Sequence, residues 1–183
     1  MKVMLSIGHF PESPGAYNKK YDIFEHTICA GIVDVIVPLL STTHNVIVAP
    51  TQTLSEKRTA VIWEKPEILV ELHMNYSWRK NINGLLTVYE DKQYDSLLLA
   101  TMIHSSLLEA TGWPDECIRN DNTIQGWRKW KQFYLFDCID NVNTCLLELG
   151  YISNDDVVNS LIYGNMKNCI ANAIINGIRR YKL

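Results

Sequence analysis

Short apolar runs alternate with segments of helical periodicity through the first half of the chain, and this alternation restricts the fold more than any other sequence feature. Apolar residues recur at helical spacing in 22–40 and 52–63, and Asp22 is a suitable N-cap for the first helix. The runs that predict strands are 2–7, 45–49, 67–72 and 85–89. A strand–helix–strand rhythm is typical of an α/β protein whose sheet carries helices on both faces.

The second half of the chain continues the pattern less regularly. Residues 113–131 show no periodicity and predict a surface loop. The last two apolar runs are separated by 140–143, which predicts a hairpin and therefore a mixed sheet. With 183 residues and no repeat or linker, we expect a single domain. The predicted elements here are helices 94–111 and 166–181 and strands 133–139 and 144–149.

Composition and charge argue against several classes of function. A net charge of −3 and the lack of a long Lys/Arg cluster argue against nucleic-acid binding. The five cysteines are scattered and form no Cys-x-x-Cys pair, which predicts free thiols rather than a disulfide framework or a thiolate zinc site. Neither a signal peptide nor an apolar stretch of roughly 20 residues is recognised, so we expect neither classical export nor membrane insertion.

Four side chains suited to metal or proton chemistry lie near the ends of predicted elements. His9 and His73 each follow a predicted strand, Glu25 lies in the first turn of a predicted helix, and Glu148 interrupts the last predicted strand. In open α/β sheets, ligands gather at the carboxyl ends of strands, so we expect these residues to converge. Two imidazoles and one carboxylate are a common ligand set for a catalytic zinc, with the fourth position open to water.

Each of these residues also has a simpler explanation. A lone histidine at a strand end most often makes an ordinary hydrogen bond, and a first-turn carboxylate such as Glu25 is favoured by the helix dipole. An ionised Glu148 inside a buried strand is costly unless it is paired or bound to metal, but on an edge strand it would simply face solvent. The four residues together favour a zinc hydrolase, whereas none of them does so alone.

Several segments carry a family signature. The most specific is 147–154, Leu-Glu-Leu-Gly-Tyr-Ile-Ser-Asn, which is similar to a closing Glu-x-Gly-Phe-x-Ser-Asn motif. The others are Ile7-Gly8-His9 with Pro14-Gly15-Ala16, Leu54 and Arg58 with Ala60, Leu72-His73-Met74-Asn75, Gly84 with Val88-Tyr89, and Ala171, Ile174, Gly177, Ile178 and Tyr181 of the last helix. On these residues the chain resembles the zinc-dependent N-acetylmuramoyl-L-alanine amidases of the type-3 group, from bacteria and bacteriophages, over nearly its whole length.

The resemblance implies a twisted six-stranded sheet, a Zn²⁺ ion held by His9, Glu25 and His73, and Glu148 as the general acid/base. It implies that zinc-activated water cleaves the peptidoglycan amide between the lactyl group of N-acetylmuramic acid and L-alanine of the stem peptide. Asn75 would orient the substrate, or else it is a turn residue at a strand end. With residues 1–183 as one catalytic domain and no wall-binding domain, the resemblance is to a phage or prophage endolysin that reaches the wall through a separate pore.

Two other functions stay open at this point. The same zinc site would serve a peptidase that cuts within the stem peptide, and the fold without turnover would serve as a wall-binding module. Aromatic and basic side chains in 113–134 either contact substrate or belong to an anchored, solvated loop. These residues are Trp113, Trp127, Trp130, Phe133 and Tyr134, with Arg119, Arg128, Lys129 and Lys131. The oligomeric state is also open.

Overall fold

The computed structural model describes residues 1–91, 94–123, 135–136 and 141–181. The helices are α1 (Glu25–Leu40), α2 (Leu54–Glu64), α3 (Tyr94–Thr111), α4 (Asp155–Ile162) and α5 (Met166–Tyr181). The strands are β1 (Lys2–Ile7), β2 (Tyr17–Asn18), β3 (Ile23–Phe24), β4 (Asn45–Val48), β5 (Ile68–Asn75), β6 (Leu85–Tyr89), β7 (Asp115–Asn120) and β8 (Asn143–Tyr151).

Six of the strands form one mixed sheet in the order β4-β1-β5-β8-β6-β7. Strands β4, β1, β5 and β8 run parallel to one another, β6 runs antiparallel to β8, and β7 runs parallel to β6. The strands β2 and β3 form a small separate hairpin before α1. The prediction of an α/β fold with a mixed, six-stranded sheet is confirmed.

The two faces of the sheet bury different residues because side chains alternate along each strand. Val3 and Leu5 of β1 join the larger core, to which α1, α3 and α5 contribute. Met4 of β1 and Leu69 of β5 pack instead with Val61 of α2, in a smaller core on the other face. Helices therefore cover both faces of the sheet, as predicted.

Helix α1 begins at Glu25 rather than at Asp22, so the predicted N-cap is wrong. Phe24 occupies the N-cap position and makes no capping hydrogen bond with its side chain. Asp22 instead adopts a left-handed backbone conformation, with φ of 51°. The cause is tertiary, because the hairpin pairs Tyr17 with Phe24 and keeps the backbone extended up to the first helical residue.

The sixth strand of the sheet, β7, lies within the segment predicted as a surface loop, so that prediction is wrong. In the described sheet β7 pairs with β6 alone, and its residues alternate between exposed and half-buried. An edge strand can be largely polar, and residues such as Asp115 and Arg119 therefore left no apolar signal. The strand predicted over 133–139 lies mostly outside the described residues, and its described pair, 135–136, is not in a strand.

The short helix α4 was not predicted either. Its N-cap is Asn154, whose side-chain oxygen accepts hydrogen bonds from the backbone N–H groups of Asp156 and Val157. By contrast, α3 and α5 have the predicted bounds. None of the helices in the described ranges is both long enough and apolar enough to cross a membrane.

Candidate metal and catalytic site

Three neighbouring strands place the predicted site residues at one edge of the sheet. Strand β5 lies between β1 and β8, and all three are parallel, so their carboxyl ends meet. His9 follows β1, His73 is among the last three residues of β5 rather than just past it, and Glu148 of β8 is directly opposite His73. Glu25, as the first residue of α1, reaches the same edge. The four residues are far apart in the chain and close in the fold.

Glu25 bridges the two imidazoles. Its Oε1 lies 2.8 Å from Nδ1 of His73, and its Oε2 lies 3.1 Å from Nε2 of His9. One ligand atom from each of these residues lies within 4.8 Å of the other two. Two ligands bonded to one tetrahedral zinc lie about 3.4 Å apart, as follows from bond lengths of about 2.0–2.1 Å. The three side chains are therefore close enough to share one ion.

The charges of this cluster stabilise one another. Burial disfavours the charged form of Glu25, but hydrogen bonds with His73 and His9 outweigh it and hold the pKa of Glu25 well below its ordinary value. Burial also disfavours the charged form of His73, whereas its hydrogen bonds with Glu25 and Glu71 raise the pKa of His73 well above its ordinary value. In the metal-free protein these carboxylates therefore favour the protonated imidazole of His73, and a metal ion would compete with that proton.

Two glycines leave space at the ligating atoms. A Cβ atom on Gly15 would lie 2.5 Å from Cδ2 of His9 and 2.6 Å from Oε2 of Glu25. A Cβ atom on Gly8 would lie 2.7 Å from Nδ1 of His73. Gly15 also has a φ of 79°, which side chains disfavour. Two imidazole nitrogens and one carboxylate oxygen around this space are a donor set that suits zinc, so the residues fit such an ion.

Glu148 faces the same pocket with one oxygen unpartnered. Its side chain is only 7% exposed, and its Oε2 is buried without a hydrogen-bond partner among the described residues. Burial raises the pKa of Glu148 to about 8, despite the opposing effect of His73. The pocket has a volume of about 380 Å³ and is lined by His9, Glu25, His73, Asn75, Tyr76 and Glu148, among others. A buried carboxylate without a partner is costly, which favours a role in proton transfer over a purely structural one.

A buried ion pair, which the sequence analysis missed, lies beneath the site. Lys57 of α2 is 0% exposed, and its Nζ donates hydrogen bonds to the backbone carbonyls of Ile7 and His9. The same Nζ lies 3.8 Å from Oε1 of Glu71, which in turn lies 3.7 Å from Nε2 of His73 and accepts a hydrogen bond from Ser6. Lys57 and Glu71 thus contact the segments that carry both histidines.

The signals for these two residues differed in strength. Glu71 interrupts the apolar run of β5 as Glu148 interrupts that of β8, so the same reasoning could have identified it. Lys57 belongs to a helix with a mostly exposed, polar sequence, where a lysine is expected to face water. Only the tertiary structure shows that it does not.

The remaining predicted contacts have mixed outcomes. Asn75 lines the metal pocket, and its Oδ1 also accepts a hydrogen bond from the backbone N–H of Tyr76, as a turn residue would. Trp113 packs partly buried against the larger core, and Arg119 is exposed on β7. The other aromatic and basic candidates, Trp127, Trp130, Phe133, Tyr134, Arg128, Lys129 and Lys131, lie outside the described residues.

The fold is a mixed β-sheet covered by helices, and two imidazoles and a carboxylate meet at the carboxyl ends of its parallel strands. These features define an α/β protein with a candidate metal centre. The family model described as N-acetylmuramoyl-L-alanine amidase matches residues 3–180, and the chain belongs to this family. The predicted family and the predicted enzyme class, an N-acetylmuramoyl-L-alanine amidase, are thereby confirmed. No curated protein sequence matches the chain significantly.

Solved structures of amidases share the fold over the whole chain. The catalytic domain of CwlV, an N-acetylmuramoyl-L-alanine amidase from Bacillus (Paenibacillus) polymyxa var. colistinus, has a TM-score of 0.85 at 23% identity, covering 99% of this chain and 97% of that one. An N-acetylmuramoyl-L-alanine amidase from Clostridium difficile 630 has a TM-score of 0.86 at 20% identity, covering 99% and 96%. An amidase from Nostoc punctiforme has a TM-score of 0.84 at 20% identity, covering 100% and 97%. At these identities the likeness establishes the fold.

Proposed function

We propose that the chain is a zinc-dependent peptidoglycan hydrolase that cleaves the amide between the lactyl group of N-acetylmuramic acid and L-alanine of the stem peptide. His9, Glu25 and His73 would hold the zinc ion, and Glu148 would be the general acid/base. The observation that carries this proposal concerns Glu148, whose Oε2 is buried without a hydrogen-bond partner among the described residues. Glu148 lines the same pocket as the three candidate ligands. Residues 1–183 would act as one catalytic domain.

The proposed mechanism follows from where protons must move. A zinc ion at this site would supply Lewis acidity, which makes water nucleophilic near neutral pH and polarises a carbonyl. Ionised Glu148, whose negative charge a nearby zinc ion would favour, accepts a proton from the attacking water, whose oxygen bonds to the lactyl carbonyl carbon. Glu148 then delivers that proton to the alanine nitrogen as the C–N bond breaks, because an amide nitrogen leaves poorly without a proton. After the proton of the new carboxylic acid passes to the amine, the products are a lactyl carboxylate and a stem peptide with an N-terminal ammonium group.

Digestion of purified peptidoglycan tests the reaction directly. We expect mass spectrometry of the soluble products to show intact stem peptides with free N-terminal L-alanine, together with glycan that retains its lactyl carboxylates. Shortened stems that are still attached to muramic acid would contradict the proposal and favour a peptidase. A protein that sediments with cell walls but releases no fragment would instead be a wall-binding module.

Metal binding can be tested without any substrate. We expect Zn²⁺ added to the metal-free protein to raise its melting temperature, because an ion that binds only the folded state stabilises it by about 2.7 kcal/mol at 100 times its Kd. His73→Ala removes one ligand and should abolish most of this gain. His44→Ala, a histidine on the turn after α1, is the matched control and should respond like the wild type. Equal stabilisation of the wild type and His73→Ala would contradict the proposed ligand set.

Action as a phage or prophage endolysin stays a prediction. Expression of the protein in a bacterium with a sensitive wall, with and without a separate pore-forming protein, tests it. We expect lysis only when the pore is present, and lysis in its absence would contradict this route to the wall.

A further inference from the structure

A second pocket, with charged walls, adjoins the metal pocket. It has a volume of about 370 Å³, and its lining includes Glu116 and Arg119 of β7 and Tyr151 of β8. Asn75 lines both pockets, so the second pocket begins where the first one ends. Nothing in the proposed chemistry at Glu148 uses these charged residues.

A β-bulge brings Glu116 and Arg119 into the same pocket. In a regular strand, residues three apart point to opposite faces of the sheet. In the pairing of β6 with β7, however, Leu85 is opposite Asp115 and Thr87 is opposite Ile118, so β7 contains one extra residue. Cys117 absorbs this residue with a left-handed φ of 83°. Bulges of this kind re-aim side chains and are frequent beside active sites.

Neighbouring residues hold the Glu116 carboxylate in a fixed position. The hydroxyl of Tyr151 lies 3.0 Å from Oε1 and 2.9 Å from Oε2 of Glu116, and its one proton is shared between these two acceptors. Burial and the nearby Glu116 raise the pKa of Tyr151, which keeps the phenol protonated as a donor. Gly84 provides the room, because a Cβ atom there would lie 2.6 Å from Cγ of Glu116. The carboxylate is thus positioned at the pocket with acceptor capacity left for a ligand.

The distance from the candidate catalytic carboxylate to this pocket suits a peptide. Leu86 of β6 is directly opposite Glu148 and lines the second pocket, and β7 is the next strand outward. Adjacent strands lie about 4.8 Å apart, so β7 is roughly 10 Å from β8. An extended peptide advances about 3.3–3.6 Å per residue, so the third residue of a stem peptide lies at a similar distance from its first amide nitrogen.

We propose that this second pocket binds the third stem-peptide residue and selects a side chain that ends in both an ammonium and a carboxylate group. The inference rests on the proposed amidase function and specifies its substrate. Glu116 would accept hydrogen bonds from the ammonium, and the Arg119 guanidinium would pair with the carboxylate. A side chain that ends in an ammonium alone would engage Glu116 and leave Arg119 without a partner.

Kinetics with two soluble muropeptides test this selectivity. One carries meso-diaminopimelate at the third position, with both terminal charges, and the other carries L-lysine. We expect the wild type to have a KM about tenfold lower for the diaminopimelate substrate, since a charge-assisted hydrogen bond contributes on this order. Arg119→Gln should raise that KM about tenfold, toward the lysine value, and should change the lysine KM much less, so that the preference between the two substrates is lost. Glu116→Gln should raise KM for both substrates.

A matched variant and a binding assay complete the experiment. Arg79→Gln changes another exposed arginine, outside the pocket lining, and should alter neither KM. No preference in the wild type, or an equal effect of Arg119→Gln on both substrates, would overturn the inference. Calorimetry with the free tripeptide L-Ala-γ-D-Glu-meso-diaminopimelate separates it from the amidase proposal, because this ligand has no muramoyl amide. Tripeptide binding that depends on Arg119, without peptidoglycan cleavage, would support the proposed pocket and refute the proposed reaction. Peptidoglycan cleavage without a preference between the two muropeptides would support the reaction and refute the pocket.

Discussion

Glu148→Gln should lower kcat by about 10²–10⁴-fold, the usual contribution of a general acid or base. Glutamine has nearly the same shape but can neither take a proton from water nor deliver one to the alanine nitrogen. Zn²⁺ affinity should change little, because Glu148 is not among the three proposed ligands. Kinetics on a soluble muropeptide, with metal analysis of the same preparation, check both expectations. A variant that keeps more than a tenth of the wild-type kcat would contradict the assigned role.

The same substitution should change how stability depends on pH in the metal-free protein. Burial raises the pKa of Glu148 from its ordinary value of 4.5 to about 8. The folded state therefore binds this proton more tightly than the unfolded state, and the resulting stability is lost as pH rises from about 4.5 through about 8. Glu148→Gln removes this loss, whereas His73, Glu25, Glu71 and Glu116, which influence Glu148, are present in both proteins.

Urea unfolding at pH 5 and pH 9, with metal removed, measures the difference. We expect the variant to gain stability relative to the wild type between the two pH values, by up to several kcal/mol at about 1.4 kcal/mol per pKa unit. A difference that is the same at both pH values would show that Glu148 is not buried in its uncharged form.

Lys57→Met should destabilise the fold by about 3–5 kcal/mol, because it leaves the Glu71 carboxylate buried without its cation. It also removes the donor to the carbonyls of Ile7 and His9. Urea unfolding of the metal-free protein measures the loss. Lys80→Met, at an exposed position in the loop after β5, is the control and should change stability by no more than about 0.5 kcal/mol.

The double variant Lys57→Met/Glu71→Leu separates packing from positioning. Replacing both partners of a buried ion pair with apolar groups is often neutral, so much of the lost stability should return. Zn²⁺ affinity should nevertheless be lower than in the wild type, since no donor then holds the His9 carbonyl and no carboxylate lies beside Nε2 of His73. Full recovery of both quantities would show that the pair has no effect on the metal site.

The sequence predicted those parts of the fold that depend on local apolar patterns. Strands such as β1 and β5 are mostly apolar along their length, and they were identified because both of their faces are buried. Strand β7 was missed because an edge strand can be polar, and the start of α1 was misplaced because the pairing of Tyr17 with Phe24 is not a local property. Local patterns identify buried elements and say little about edges and hairpins.

The candidate site shows the same division. His9, His73 and Glu148 could be named from sequence because polar side chains beside buried strands are conspicuous, and the parallel order of β1, β5 and β8 brings them together. Lys57 could not be named, because its burial depends on how α2 packs on the sheet. The bulge at Cys117, which turns Glu116 and Arg119 to one side, leaves no mark in the sequence either.

Because Gly15 has no side chain, a substitution there offers a way to abolish activity without altering any ionisable group. A single methyl group there would press on His9 and Glu25 together, and the left-handed φ would resist relaxation. Gly15→Ala would therefore make an inactive protein that keeps the second pocket, with Glu116 and Arg119, intact. This variant would retain uncut wall fragments long enough for their chemical structure to be determined.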